Sequence, residues 1–155
     1  MELTIRKGRK EDLQQVFGLV RELATFERAS HEVVNTPERM EKEGFGDRPA
    51  YEFFVAEDRG RIVGISLYFF SYSTWKGRSL YIDDLIVTEA YRGRGVGKAL
   101  FDATARVARE QDCGKMHWQV LDWNTPAIEY YRSLGAAFDG EWINCALTRE
   151  QLRQF

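Results

Sequence analysis

The run Tyr91–Leu100, YRGRGVGKAL, constrains this chain more than any other: three glycines spaced two apart, two arginines among them, then an abrupt return to helix formers. Before it stands SLYIDDLIV, Ser79–Val87, whose aromatic and branched residues predict a strand. After it, Lys98–Glu110 repeats Leu100, Phe101, Thr104, Val107 and Ala108 along one side of a helix. A strand that passes into a helix through such a loop leaves successive backbone N–H groups pointing outward, and the helix dipole adds partial positive charge, so the loop suits an anion. Gly93, Gly95 and Gly97 let the backbone curl and approach a ligand with no Cβ in the way. An exposed helix end contributes only about 0.3–1 kcal/mol per charge, so several amides must converge on the anion.

The register of the glycines decides among phosphate ligands. A Walker loop needs GxxxxGK[ST], but Arg92 stands five before Gly97 and Ala99 follows Lys98. A dinucleotide GxGxxG needs glycine at 98 or 100, where the chain has Lys98 and Leu100. RxxGxG, Arg92–Gly97, remains.

The rest of the chain alternates strand and helix with no linker, repeat or low-complexity run. Glu2–Lys7 is an expected strand, and Glu11–Phe26 an amphipathic helix carrying Leu13, Val16, Phe17, Val20, Leu23 and Ala24. Thr36-Pro37-Glu38 starts a second helix that GFGDRP, Gly44–Pro49, ends. Tyr51–Glu57 and Arg61–Tyr72 form an expected hairpin about Asp58-Arg59-Gly60. Lys115–Leu121 reads as strand, Thr125–Leu134 as short helix, and Ala136–Leu147 as a final hairpin or strand pair. The fold class is α/β with a mixed sheet, in one domain over residues 1–155. At 155 residues and 44% hydrophobic content, such a domain buries roughly two-thirds of its unfolded surface.

Charge and cysteine usage exclude several classes. With 22 Lys+Arg against 24 Asp+Glu and a net charge of -2, no basic field argues for nucleic acid or an anionic membrane. The longest apolar stretch, Ile65–Phe70, is far short of the roughly 20 residues of a membrane span, and no signal-peptide core opens the chain, so a cytoplasmic location is expected. Cys113 and Cys145 are too few and too far apart for a disulfide scaffold and read as reduced, buried thiols. His31 and His117 lack ligand-spaced partners, so no metal is expected.

The loop RxxGxG after a strand ending in LIV resembles the pyrophosphate loop of the GNAT acetyltransferases. ELATFE (Glu22–Glu27), GFGDRP, YFFSYSTW (Tyr68–Trp75), SLYIDDLIV and VLDWNTPAIEYYRSLGA (Val120–Ala136) extend the resemblance to the spermidine/spermine and thialysine acetyltransferase branch, over nearly the whole chain. The resemblance implies a mostly antiparallel central sheet flanked by helices, acetyl-CoA as donor, a primary amine of a small cationic substrate as acceptor, and a homodimer with active sites near the subunit boundary.

It also assigns residues. The acyl-CoA site takes the backbone of Leu85, Ile86 and Val87, paired with pantetheine like an added strand. It takes the loop Arg92, Gly93, Arg94, Gly95, Val96, Gly97 and Lys98, and Asn124, Pro126, Ala127 and Tyr131. Arg92 and Arg94 either balance phosphate charge or are merely solvated, and Lys98 offers its amide or its ammonium. Asn124 caps the following helix, binds pantetheine, or both. Asp83 matches the glutamate that deprotonates the amine through water in the similar polyamine acetyltransferases, and is one methylene shorter; Asp84 matches the aspartate beside it. In a regular strand these two neighbours point to opposite faces unless a bulge intervenes. Tyr131 lies on one helical face with Ala127, Ile128 and Leu134, and matches the tyrosine that protonates the departing thiolate. Phe26, Glu27, Trp75, Asp83, Asp84, His117, Trp118 and Gln119 are the expected acceptor-site residues. The chain is shorter between Gly135 and Trp142 than the polyamine-acetylating relatives, which leaves polyamine specificity open. A protein-lysine or N-terminal acetyltransferase and a catalytically silent acyl-CoA-binding module stand as alternatives.

Overall fold

The computed structural model describes residues 1–155, which cluster as two units, Met1–Gln119 and Val120–Phe155. In the first unit five strands lie in sequence order: β1 (Leu3–Lys7), β2 (Glu52–Asp58), β3 (Arg61–Ser73), β4 (Gly77–Val87) and β5 (Lys115–Trp118). β1 to β4 pair antiparallel and β5 joins β4 parallel. The parallel step requires a crossover, and α3 (Val96–Glu110) supplies it.

Side-chain alternation splits the sheet into two apolar faces. One face carries Phe53, Val55, Ile65, Leu67 and Ile86 against α1 (Leu13–Phe26) and Met40 of α2 (Pro37–Gly44). The other carries Tyr68, Leu80 and Ile82 against Phe101 and Ala108, and Ala56 and Val63 against Val96 and Leu100, all four helical residues lying on α3. The period-3.6 stripe read from the sequence in α3 is therefore the face that docks. α3 begins two residues earlier than the expected Lys98, because Gly95 turns left-handed as its N-cap (φ 81°) and the helix starts at once.

In the second unit, α4 (Thr125–Ser133) is capped by Asn124, whose Oδ1 accepts from the Ala127 amide at 3.4 Å, with Pro126 in the first turn. α5 (Arg149–Leu152) has a capping box from Thr148 and Gln151. The expected strand Lys115–Leu121 stops at Trp118; beyond it the Asn124 amide donates to the Leu121 carbonyl and closes a turn before α4.

The expected hairpin over Ala136–Leu147 is absent: no strand forms there. Asp139 accepts from the Glu141 amide at 3.0 Å and from the Trp142 ring N–H at 2.7 Å, local bonds that compete with a ladder. Cys145, expected to be buried, is exposed in this segment, whereas Cys113 is half-buried against the α3 face of the sheet.

Candidate active site

The pairing of β3 with β4 slips by one residue at the two aspartates. Tyr68 stands opposite Ile82 and Leu67 opposite Asp84, so Asp83 is left over as the bulged residue. A bulge bends the strand and breaks its two-residue alternation, which removes the geometric objection to both carboxylates serving one side. Their electrostatics agree. Burial pushes the Asp84 carboxyl up to about 7, with the charges of Asp83 and Glu27 adding to the effect. Burial also raises Glu27, and Asp83 raises it further. Asp83 retains exposed surface, yet enough protein surrounds its carboxyl that desolvation raises it too. Three acids are held together at this point, Asp83 raising both Glu27 and Asp84 and Glu27 raising Asp84, with Glu27 contributed by the C-cap of α1.

The same strand carries an unpaired edge. The β4–β5 ladder covers Ser79–Ile82 only, so Asp83–Val87 has a neighbour on the β3 side and none from β5. The phase of the ladder follows from one bond: Thr88 donates its amide to the Val63 carbonyl at 2.9 Å. In an antiparallel pair the hydrogen-bonded positions alternate, so Leu85 and Val87 turn their N–H and C=O outward to the open edge. A short amide-bearing chain fits there as an added strand.

Beyond the edge, a single 3-10 turn (Glu89–Tyr91) leads to the glycine loop. Gly93 and Gly95 have φ of 72° and 81°, and a Cβ at either would meet nothing within 4 Å. Backbone conformation, rather than internal crowding, therefore demands glycine at both. Val96 and Gly97 open α3 ahead of its first backbone bond, in which Ala99 donates to the Gly95 carbonyl at 3.0 Å, so their amides face the loop end of the helix. Outward amides, a helix N-terminus and a continuous unpaired edge are the features that the diphosphate and pantetheine of CoA require, so the residues present fit that group.

The basic side chains of the loop are engaged with protein. Arg92 Nε donates to the Val87 carbonyl at 3.0 Å and its guanidinium lies 5.3 Å over the Phe26 ring. Arg94 lies 5.6 Å over Tyr91, and Lys98 pairs with Asp102 one turn on.

The acceptor-site expectations divide. Glu27, Asp83 and Asp84 come together as described, with Phe26 preceding Glu27 on α1. His117 packs edge-on against Tyr81 at 4.9 Å and contacts Ser71 at 3.2 Å; burial, then Lys115, lowers its ring's proton affinity. Trp118 points to the opposite face, where it meets Phe101 at 5.3 Å as part of the α3 core. Trp75 is 86% exposed in the β3–β4 turn; six strand residues at about 3.3 Å each put it roughly 20 Å from Asp83. Gln119 is exposed at the end of the first unit. No group of three His, Cys, Asp or Glu residues is arranged to hold a metal ion.

Sequence reasoning missed Tyr81 and Glu22. Tyr81 is pushed up by burial and by Asp83 and Asp84, and its ring lies 5.2 Å from Phe69. Its position two residues before Asp83 was the available signal. Glu22 accepts from the Thr88 hydroxyl and from the Glu89 amide, each at 3.2 Å, tying α1 to the start of the loop. In the second unit, Tyr131 is half-buried beside Tyr130, ring centres 5.5 Å apart, and burial raises its phenol. Ala127 is half-buried on α4 and Pro126 exposed.

An unpaired β4 edge running into a glycine loop at a helix N-terminus is a scaffold that a CoA thioester fits. The sequence profile of the Acetyltransferase (GNAT) family matches residues 19–136, and the chain belongs to that family, whose acetyltransferases use acetyl-CoA as co-substrate. Thialysine N-epsilon-acetyltransferase of Bos taurus is 39% identical over 140 residues, covering 85% of this chain and 82% of that protein. The Mus musculus protein of the same name is 36% identical over 161 residues, covering 97% and 95%. Among solved structures, an integron cassette protein from the mobile metagenome of V. cholerae superposes with a TM-score of 0.79 at 20% identity, over 99% of this chain and 97% of that one, a likeness of fold. No helix is long and apolar enough to cross a membrane.

Proposed function

We propose that this N-acetyltransferase acetylates the primary amine of a small cationic acceptor, of lysine, thialysine, diamine or polyamine type, by direct transfer in a ternary complex. The observation that carries the reading is the bulge that sets Asp83 beside Asp84 and Glu27 next to the β4 edge. Three acids at a site in a chain of net charge -2 favour a cation locally. The thialysine-acetylating relatives support an acceptor of lysine type.

An amine of that type has a pKa near 10.4, so about one molecule in 10³ is neutral at pH 7 and a proton must be removed. Asp83 takes it, through a water because aspartate is short, and Asp84 and Glu27 hold the cation in place. Acetyl-CoA supplies the acetyl group as an activated thioester. The new N–C bond replaces the C–S bond, and the Tyr131 phenol donates the proton that the thiolate requires. The amides of Gly93–Lys98 bind the diphosphate, and Leu85 and Val87 pair with pantetheine.

Both units act as one domain in this reading, since the family match runs through each. The active species is a homodimer: Trp142, Ile143 and Phe155 are 76%, 88% and 97% exposed, an apolar set that a second copy covers. Two free thiols suit a reducing cytoplasm.

The test is release of free CoA with a panel of amines, beside a lysine-containing peptide. Turnover with a small amine supports the proposal. Turnover with the peptide alone transfers the activity to protein substrates, and CoA binding without any turnover indicates a silent module. Light scattering tests the dimer, a monomer at all concentrations overturning it.

A further inference from the structure

Arg92 stands where the two halves of the site meet. Its Nε–H donates to the Val87 carbonyl, one of the outward-facing carbonyls of the unpaired β4 edge. Its guanidinium lies over Phe26, the residue before Glu27, and its Nη2 approaches Glu22 at 4.0 Å. The backbone on either side is pinned. Glu22 holds Thr88 and Glu89, and the end of α1 is closed by the Glu27 amide donating to the Leu23 carbonyl and the Ala29 amide to the Ala24 carbonyl, each at 2.8 Å. The guanidinium is thus the part that can move, and it occupies one of the two carbonyls, Leu85 and Val87, that the edge offers to an added strand.

We propose that Arg92 is a positioning residue that links the two substrate sites: its guanidinium holds the Val87 carbonyl to the end of α1, and a pantetheine amide that takes this carbonyl releases the guanidinium from Phe26 and so resets Glu27 beside Asp83. The role differs from that of a phosphate ligand, in which the side chain answers to the diphosphate. It rests on the assignment of the loop and edge to acyl-CoA. A guanidinium is needed, because lysine has neither the Nε–H nor the flat face for stacking on Phe26.

Two measurements test it. The Arg92 Nε–Hε resonance, assigned by its loss in Arg92→Lys, is followed during titration with CoA and with 3′-phosphoadenosine 5′-diphosphate, which keeps the diphosphate and lacks pantetheine. CoA moves the resonance and the nucleotide leaves it in place; equal shifts, or none with CoA bound, overturn the proposal. Calorimetry then compares thialysine affinity with and without saturating CoA. A factor of about five or more is expected in the unaltered protein, falling below about two in both Arg92→Lys and Phe26→Leu while CoA still binds. Coupling that survives both substitutions, or is absent from the unaltered protein, rejects the link. Failure of the unaltered protein to bind CoA is a separate outcome and defeats the acyltransferase assignment beneath it.

Discussion

Asp83 has no partner residue on β3, whereas Asp84 beside it stands opposite Leu67. That one-residue slip breaks the alternation by which a regular strand would separate two neighbours, and the Asp83 charge bears on Asp84. The cost is electrostatic: burial and two nearby acids hold the Asp84 proton far above its ordinary range.

This cost is visible as pH-dependent stability. Asp84 titrates at about 7 in the folded chain and near 3.8 in the unfolded one, so between these values the folded chain binds the proton more tightly. Its contribution is full below pH 3.8 and is lost as pH rises through 7. Asp84→Asn, which cannot ionise, should melt higher than the unaltered protein at pH 8, by an effect on the order of a few kcal/mol at most, and differ little at pH 4. An equal difference at both pH values would show that Asp84 is not held protonated by its surroundings.

Asp83 is the proposed base, so Asp83→Asn should lower kcat/KM for the amine by roughly 10²–10⁴ while leaving CoA affinity within a few-fold. Asp83→Glu restores the side-chain length of the similar acetyltransferases and should recover most of the activity. If the asparagine variant retains ordinary turnover, the proton leaves by another route.

The loop glycines can be tested against a glycine of the same conformation elsewhere. Gly95 and Gly60 have φ of 81° and 82°, and at neither would an added Cβ meet an atom within 4 Å. Alanine at either should cost about 1–2 kcal/mol of strain. That lowers the melting temperature by roughly 2–4 °C per kcal/mol in a chain of this size. Only Gly95→Ala should also weaken CoA binding, by about tenfold or more, since a charge-assisted hydrogen bond is worth about 1.5–3 kcal/mol. Equal CoA affinity in the two variants would remove the diphosphate from this loop.

Much of the architecture was legible because local and tertiary signals coincide. The α3 stripe of Leu100, Phe101, Thr104 and Ala108 is the buried one, and the helix start at Thr36-Pro37 is capped as its residues suggest, Thr36 Oγ1 accepting from the Arg39 amide at 3.1 Å. The loop and its left-handed glycines were legible for the same reason. The bulge was not, since SLYIDDLIV alternates as well with a regular partner as with a slipped one, and register belongs to the pair of strands. Trp118 and Trp75 show a related limit: a strand's residues reveal that faces alternate, but not which face holds the core or how far along the strand a ligand lies. In Ala136–Leu147 the apolar residues suggested strands, yet Asp139 claims the nearby donors first.

Tyr131 provides the remaining test. Burial, and then Tyr130, hold its phenol above the ordinary range, so it stays protonated at every pH where the enzyme would work. A departing thiolate has a conjugate thiol pKa near 8.5, below that of any such phenol, so the donor acts as the C–S bond breaks, and because it stays protonated it adds no alkaline limb of its own to the pH profile. Tyr131→Phe keeps the ring and its contact with Tyr130 and removes only the hydroxyl. Its kcat should fall by about 10² or more, with CoA affinity by calorimetry changed less than about threefold. Tyr130→Phe, one residue away on α4, should leave kcat within a few-fold and act on thermal stability instead. Should the Tyr131 variant turn over at more than half the unaltered rate, water is the proton donor and the hydroxyl is structural.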